Sequence, residues 1–198
     1  MSASAARVPA DANVDALLAL GRLLGSYDDL PLLPPGANPR PYLNRNRVPQ
    51  PFFLAAATSA VLAHLRGEAD LDLRGPTRTV LRLRPGDHVS LPADVPYRVL
   101  PRGECVQVIY RVEPRGREVL LWYCPYCDTR LYPHHVEAER VPRQRAYWAA
   151  VQAFNTTTDL RLCEYCGALH QPVSLADLRW DEVADQLQPP PGPDRPTS

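Results

Sequence analysis

The chain has 198 residues, which allows one domain of ordinary size or a domain plus a small appendage, and 45% of them are hydrophobic, which suffices for a core. Lysine plus arginine and aspartate plus glutamate both total 22, so the net charge is zero. This balance argues against nucleic-acid binding, which needs a basic excess to neutralise phosphates. No apolar run is long enough to span a membrane, and residues 1–7 lack the features of a secretory signal. We therefore expect a cytoplasmic protein with reduced thiols.

The N-terminal part of the chain contains one helical pattern followed by a proline-rich arm. Apolar residues recur at helical spacing over residues 13–24, which predicts a short amphipathic helix with Asn13 as its N-cap. Prolines interrupt residues 30–50 repeatedly and predict an extended, irregular segment on the surface. We assign residues 1–38 to this helix and arm.

Residues 52–112 predict a series of short β-strands. Apolar and polar residues alternate in short runs, and glycine and proline turns separate the runs about every 8–12 residues, a pattern typical of a β-sandwich or barrel. We place this barrel at residues 39–118. Cys105 begins its last strand and is expected to be a small buried hydrophobe. One further strand is predicted at residues 119–123.

Two cysteine pairs with C-x-x-C spacing follow the strands. Each pair lets two thiolates from one tight turn reach a single ion, and two such turns complete a tetrahedral shell that suits Zn²⁺ or a single iron. Gly167 follows the second pair and fits a turn that needs positive φ. Two disulfides are the main alternative, and His170 could replace one thiolate. The predicted metal ligands are Cys124, Cys127, Cys163 and Cys166.

The segment between and after the cysteine pairs predicts two helices. Apolar and aromatic residues at helical spacing indicate one helix that begins after Pro142 and reaches Phe154. Ser174 and Asp177 form a capping-box pattern that predicts a second helix through about Leu187. Residues 119–188 are thus a metal-binding extension, and the proline-rich residues 189–198 are predicted to be disordered.

Several of these segments together resemble a known family. Residues 62–73 and 83–97 resemble the barrel of the cupin 3-hydroxyanthranilate 3,4-dioxygenases, the second following their G-[DE]-x₃-L-P-x₂-V-x-H segment. The W-Y-C-x-x-C at residues 122–127 and the C-x-x-C-G at residues 163–167 resemble the C-terminal iron site of the bacterial enzymes. The resemblance implies a mainly β fold, with a jelly-roll barrel (a double-stranded β-helix), flanking helices and a rubredoxin-like four-cysteine extension. It also implies a dimer.

The residues that hold the catalytic iron in this family are absent here. The family binds ferrous iron through two histidines and a glutamate, and the corresponding positions are Leu54, Ala60 and Tyr97. Residues 32–63 contain no histidine, aspartate or glutamate, so the loss does not depend on the alignment. We therefore expect no iron in the barrel and one Fe or Zn at the cysteines.

The residues that hold the substrate in this family are also replaced. A glutamate on the strand before the cysteines aligns with Tyr110, and an arginine after the second histidine aligns near Pro101, with Arg102 next to it. These positions therefore do not match the carboxylate clamp of the family.

Two main hypotheses follow for the function. The first is a non-catalytic binding or partner subunit that forms a homodimer or a heteromer with an active relative. The second is an enzyme with altered chemistry, independent of a barrel metal, on an aromatic or carboxylate-bearing metabolite in a biosynthetic pathway. Its catalytic candidates are Tyr97, Tyr110 and Arg102, with Arg98 as an alternative carboxylate clamp and the small residues 55–60 leaving room for a ligand. Electron transfer at a rubredoxin-like centre is a third hypothesis.

The remaining histidines offer weaker candidates. His64 and His88 lie on predicted strands and are expected to face the surface or to make one hydrogen bond, although a new metal site with Tyr97 or Asp87 stays open. The adjacent pair at residues 134–135 points to opposite faces of an extended run.

Overall fold

β-Strands are the commonest regular structure among the described residues, which are 19, 22, 24–27, 29–32, 38–114, 116–136, 143–178 and 180 of this computed structural model. In chain order the strands are β1 (Leu30–Pro31), β2 (Arg40–Asn46), β3 (Phe53–Ala56), β4 (Ala60–Arg66), β5 (Ala69–Arg74), β6 (Arg78–Leu83), β7 (His88–Leu91), β8 (Tyr97–Pro101), β9 (Cys105–Arg111), β10 (Glu118–Tyr123) and β11 (Arg130–Val136). Two helices follow, α1 (Arg143–Thr156) and α2 (Thr158–Arg161).

The strands form two antiparallel sheets. One has five strands in the order β1-β2-β9-β4-β7, and the other has six in the order β11-β10-β3-β8-β5-β6. Strands distant in sequence are neighbours, as in the pairing of β2 with β9 and of β3 with β8. Inward residues of both sheets, such as Leu62, Ile109, Leu71 and Leu120, join one buried cluster. The predicted cupin-type jelly-roll barrel is thus confirmed.

The expectation of an irregular surface arm at residues 30–50 is wrong. Strand β2 lies within this segment and pairs with β9 along its whole length, and its residues Tyr42 to Asn44 are buried. Pro41 is tolerated because its carbonyl accepts a hydrogen bond from Leu32 N–H on the side of the short β1, so its missing donor faces the edge of the sheet.

The predicted helix after Pro142 is confirmed as α1. It buries Tyr147, Val151 and Phe154 among its inward residues, and Phe154 stacks on Trp122 of β10 with ring centroids 4.3 Å apart. Phe52 meets Tyr147 edge-to-face at 5.2 Å. The helix therefore shares one core with the barrel. Strand β10 also belongs to the six-stranded sheet, so this sheet continues past the boundary placed at residue 118.

The other predicted helices are described only in part. Residues 174–178 form a turn and not a helix, although Ser174 Oγ accepts a hydrogen bond from Ala176 N–H. Trp180, which lies in the predicted range, is helical, whereas residues 179 and 181–187, the tail at 189–198 and most of the helix at 13–24 lie outside the described residues. Where the structure describes helices, none is long and apolar enough to cross a bilayer.

Candidate metal centre and barrel interior

The two C-x-x-C turns have the same backbone geometry. Cys124 N–H donates to Thr129 O at 2.8 Å, and Cys163 N–H donates to Ala168 O at 2.9 Å. In return, Cys124 O accepts from Asp128 N–H at 3.0 Å, and Cys163 O accepts from the residue at the equivalent position of its own turn at 2.8 Å. Each turn therefore directs its two thiols to the same side.

The residue after each pair has positive φ. Gly167 has φ 72°, as the sequence predicted, and Asp128 has φ 62° at the equivalent position of the first turn. Aspartate is among the residues that tolerate this left-handed region best. This role of Asp128 was not predicted, although its position relative to Cys124 is that of Gly167 relative to Cys163.

The four sulfur atoms form one cluster that could hold a metal ion. All lie within 4.8 Å of one another, with Cys124 Sγ 3.6 Å from Cys166 Sγ and Cys127 Sγ 3.5 Å from Cys163 Sγ. Sulfurs about 2.3 Å from a tetrahedral ion lie about 3.8 Å apart, so the donor set and its spacing fit such an ion. A disulfide would need about 2.05 Å, and all these cysteines are free, which rejects the disulfide alternative.

The electrostatics of the cluster also suit a cation. Hydrogen bonds with the Thr129 hydroxyl and N–H lower the pKa of Cys127 to about 6. The Ala168 N–H lowers the pKa of Cys166, yet the neighbouring cysteines and burial raise it overall to about 12. One negatively charged thiolate thus disfavours ionisation of the neighbouring thiols, and a bound cation would remove this repulsion between thiolates.

His170 does not take part in the cluster. Its Nδ1 lies 2.6 Å from Gln171 O, and its ring packs against Phe154 at 5.3 Å. Where the chain is described, the group of His, Cys, Asp or Glu side chains that could share an ion consists of the four cysteines.

The barrel interior contains the positions aligned with the family's iron ligands. Leu54 and Tyr97 are direct partners across β3 and β8, and both join the buried cluster that also contains Ala60. Tyr97 is 4% exposed, and burial raises the pKa of its hydroxyl, while the nearby Arg111 lowers it in part.

Arg111 is the arginine that meets Tyr97. Its Nη2 donates to the Tyr97 hydroxyl at 2.8 Å, and its side chain is 5% exposed. The contact of Arg111 with Tyr97 was not predicted, although alternation along β9 places Arg111 on the same face as Gln107 and Ile109. The two-residue alternation along β9 could therefore have predicted that Arg111 faces the barrel interior.

The expected convergence of Tyr97, Tyr110 and Arg102 is wrong. Tyr110 alternates with the inward residues of β9 and is 39% exposed on the outside of the barrel. Arg102 lies on the surface, where its Nη2 is 2.7 Å from Asp70 Oδ2. Arg98, the alternative clamp, is on the outer face of β8 and donates from Nε to Gln50 O.

The interior leaves little open space. A cavity of about 40 Å³ remains beside Tyr97, because aromatic side chains from the barrel and the extension fill the rest. The idea that residues 55–60 line a roomy cavity is wrong at Ala55, which packs outside with Phe53 and Leu121. The aromatic residues that line the cavity are Tyr27, Phe52, Tyr97, Tyr147 and Trp180.

The histidines take other places. His64 is fully buried with two hydrogen bonds, to Gly67 O at 3.0 Å and with Gln107 Nε2 at 3.1 Å, so the expectation of a surface-facing or singly bonded ring is wrong. His88 is exposed on β7, and its Nδ1 lies 3.0 Å from Gly86 O. Cys105 is buried, as predicted.

No protein-family model matches the chain, and no curated protein matches it. A cupin-2 domain protein from Shewanella frigidimarina is similar in structure, with 15% identity and a TM-score of 0.45 over 52% of this chain and 95% of that one. A hydroquinone 1,2-dioxygenase from a Sphingomonas species, solved with 4-hydroxybenzoate bound, has 14% identity and a TM-score of 0.43 over 49% and 72%.

The fold and the site define the class of this protein. It is a cupin-type barrel of two antiparallel sheets whose C-terminal extension carries a four-cysteine cluster that could hold a metal.

Proposed function

We propose that this protein is a divergent 3-hydroxyanthranilate 3,4-dioxygenase-like cupin that acts as a non-catalytic binding or partner subunit. The observation that carries the proposal is the filled barrel. At the position where the family holds iron, the Tyr97 hydroxyl accepts a hydrogen bond from Arg111. The cavity beside it has a volume of about 40 Å³, which is room for water but not for an aromatic acid. The same observation disfavours the alternative of an enzyme acting in the barrel.

In this proposal the cysteine site is structural and holds one Fe or Zn per chain. Its first turn continues from β10 of the barrel, and its second turn follows α2. A bound ion would therefore tie both ends of the extension together, and its binding free energy, on the order of 10 kcal/mol for structural zinc, would stabilise the fold. The subunit would act as a homodimer or beside an active relative, a choice that native mass spectrometry distinguishes.

Metal analysis tests the proposal. Elemental analysis of protein purified without added metal should find one Fe or Zn per chain, and iron would also give the visible colour of a thiolate centre. Cys124→Ala should lose the metal and unfold at lower temperature. The matched control is Cys105→Ala, which removes a cysteine outside the cluster and should keep the metal.

A second measurement addresses catalysis. Oxygen uptake with 3-hydroxyanthranilate and added Fe²⁺ should stay at the level of the buffer. Turnover in this assay, or a second metal equivalent that survives Cys124→Ala, would place a metal in the barrel and overturn the non-catalytic assignment.

A further inference from the structure

A polar cleft lies outside the barrel, on the outer face of the six-stranded sheet beside the first cysteine turn. Its volume is about 280 Å³. Outward residues of β5, β6 and β8 form its floor, because residues that alternate with the buried core point away from it. Its charged lining residues are Asp72, Arg74, Arg78, Arg98 and Asp128.

Two of the three arginines are occupied by the two carboxylates. Arg78 holds Asp72 with two hydrogen bonds, Nε to Oδ1 at 3.1 Å and Nη2 to Oδ2 at 2.8 Å. Arg74 Nη1 forms an ion pair with Asp128 of the cysteine turn, and its Nε lies 3.5 Å from Asp72 Oδ1. The guanidinium of Arg74 also lies over the rings of Phe53 and Tyr123.

Arg98 is the third arginine, and no carboxylate neutralises it directly. It lies opposite Asp72 in the pairing of β5 with β8, and its Nε donates to Gln50 O at 2.7 Å. In the described part of the chain no carboxylate is within ion-pair distance of Arg98, whose guanidinium lies 5.8 Å from the centroid of the Phe53 ring. Burial lowers the pKa of Arg98, so its charge is held at a cost that a bound anion would remove.

We propose that this cleft binds the oxyanion group of a small molecule, a carboxylate or a phosphate, between Arg98 and Arg78. The planar guanidinium of Arg98 matches two oxygens of either group, and Arg78 keeps Nη1 for the anion because its Nε and Nη2 hold Asp72. Three arginines against two aspartates leave one positive charge for the anion. Arg78, whose side chain is 53% exposed, stands at the solvent side. Leu100, Leu121 and Pro125 offer an apolar wall for the rest of the ligand. The inference does not depend on the proposed function.

Calorimetric titration of the full chain tests this site with three probes: inorganic phosphate, acetate and benzoate. At least one should bind saturably with one site per chain. Arg98→Gln and Arg78→Gln should each weaken that binding by about tenfold or more, because each removes charge-assisted hydrogen bonds. The matched control is Arg102→Gln, which removes an arginine paired with Asp70 outside the cleft and should change the affinity by less than about twofold.

The pattern among the probes identifies the source of the oxyanion. Binding of phosphate alone assigns a phosphate ester, and stronger binding of benzoate than of acetate assigns an organic acid that uses the apolar wall. Absence of saturable binding for all three probes overturns the proposal, and so does equal weakening by Arg102→Gln. If circular dichroism shows that Arg98→Gln does not fold, the affinity of Arg78→Gln for the probes tests the proposal, because the Arg78 side chain is largely exposed.

Discussion

Three buried polar side chains inside the barrel, those of His64, Gln107 and Asn46, are joined by hydrogen bonds. His64 accepts from Gln107 Nε2 at Nδ1 and donates from Nε2 to Gly67 O, so both ring nitrogens are used by the neutral form. Asn46 Nδ2 continues the chain of bonds to Gln107 Oε1 at 3.4 Å, and Asn46 Oδ1 accepts from Tyr27 N–H. These polar residues therefore act as part of the core and do not form a ligand set.

This environment makes stability depend on pH through His64. Burial lowers the folded-state pKa of His64, while the hydrogen bond to Gly67 partly opposes the shift. The unfolded chain, with a histidine pKa of about 6.5, then binds the proton more readily in acid. The contribution of His64 to the free energy of unfolding is fully present above a pH of about 6.5. It is lost as the pH falls toward the folded-state pKa, by at most about 1.4 kcal/mol per pH unit.

Urea unfolding at pH values of about 7.5 and 5.5 measures this loss. His64→Gln should reduce the difference between the two free energies of unfolding, whereas the exposed His88→Gln should leave it as in the wild type. If His64→Gln kept the wild-type difference between the free energies of unfolding at the two pH values, the pH dependence would not come from His64.

The thiol of Cys105 should be chemically inert. Burial raises its pKa to about 12, and only the thiolate reacts with alkylating reagents. We expect iodoacetamide to leave Cys105 unmodified in the folded protein and to modify it fully in denaturant, as measured by peptide mass spectrometry. Equal modification in both conditions would show that β9 opens readily.

At the scale of elements, the turn between β4 and β5 depends on a glycine. Gly67 has φ 78°, and a Cβ at this position would collide with the backbone oxygen of Glu104. Gly86 also has positive φ, 97°, but a Cβ there would meet no atom. A substitution at Gly86 therefore measures the backbone strain without the collision.

Gly67→Ala should therefore lower the free energy of unfolding by about 2 kcal/mol or more, against about 1 kcal/mol for Gly86→Ala. Chemical denaturation of both variants measures the difference. Equal effects would mean that the β4–β5 turn shifts at little cost.

Helix α1 attaches the extension to the barrel through its inward face. Phe154 is fully buried against Trp122, while Trp148 on the same helix is 37% exposed. Phe154→Ala should cost about 3–5 kcal/mol, and Trp148→Ala no more than about 1 kcal/mol. Thermal unfolding followed by circular dichroism compares the two, and a similar cost for both would show that α1 does not anchor the extension.

At the scale of the whole molecule, metal binding should change the net charge. The formal net charge is zero and the sequence isoelectric point is about 7.0 with neutral thiols. Four cysteines that lose their protons to a divalent ion leave the site with a charge of about −2. The metal-loaded protein should therefore focus below pH 7, and removal of the metal by a chelator should move it upward. An unchanged position in native isoelectric focusing would contradict binding by all four thiolates.

Much of this architecture was predictable because the signals are local. Alternation of apolar and polar residues predicts a strand from the residues of that strand alone, so the barrel followed from the sequence. The C-x-x-C spacing predicts a turn with two thiols from four consecutive residues. The sequence therefore also predicted that the four cysteines meet, namely Cys124, Cys127, Cys163 and Cys166. Strand β2 was missed because prolines argue locally against a strand, and only the position of Pro41 toward the sheet edge resolves the conflict.

The sequence by itself determined that the chain forms a β-barrel with a four-cysteine extension. Only the tertiary structure decided that Arg111 and not Arg102 meets Tyr97, that Tyr110 faces outward, and that aromatic residues of the extension fill the interior. The reason is physical. Local patterns depend on neighbours along the chain, whereas the face that a side chain presents to a cavity depends on strand pairing and packing between residues far apart in sequence.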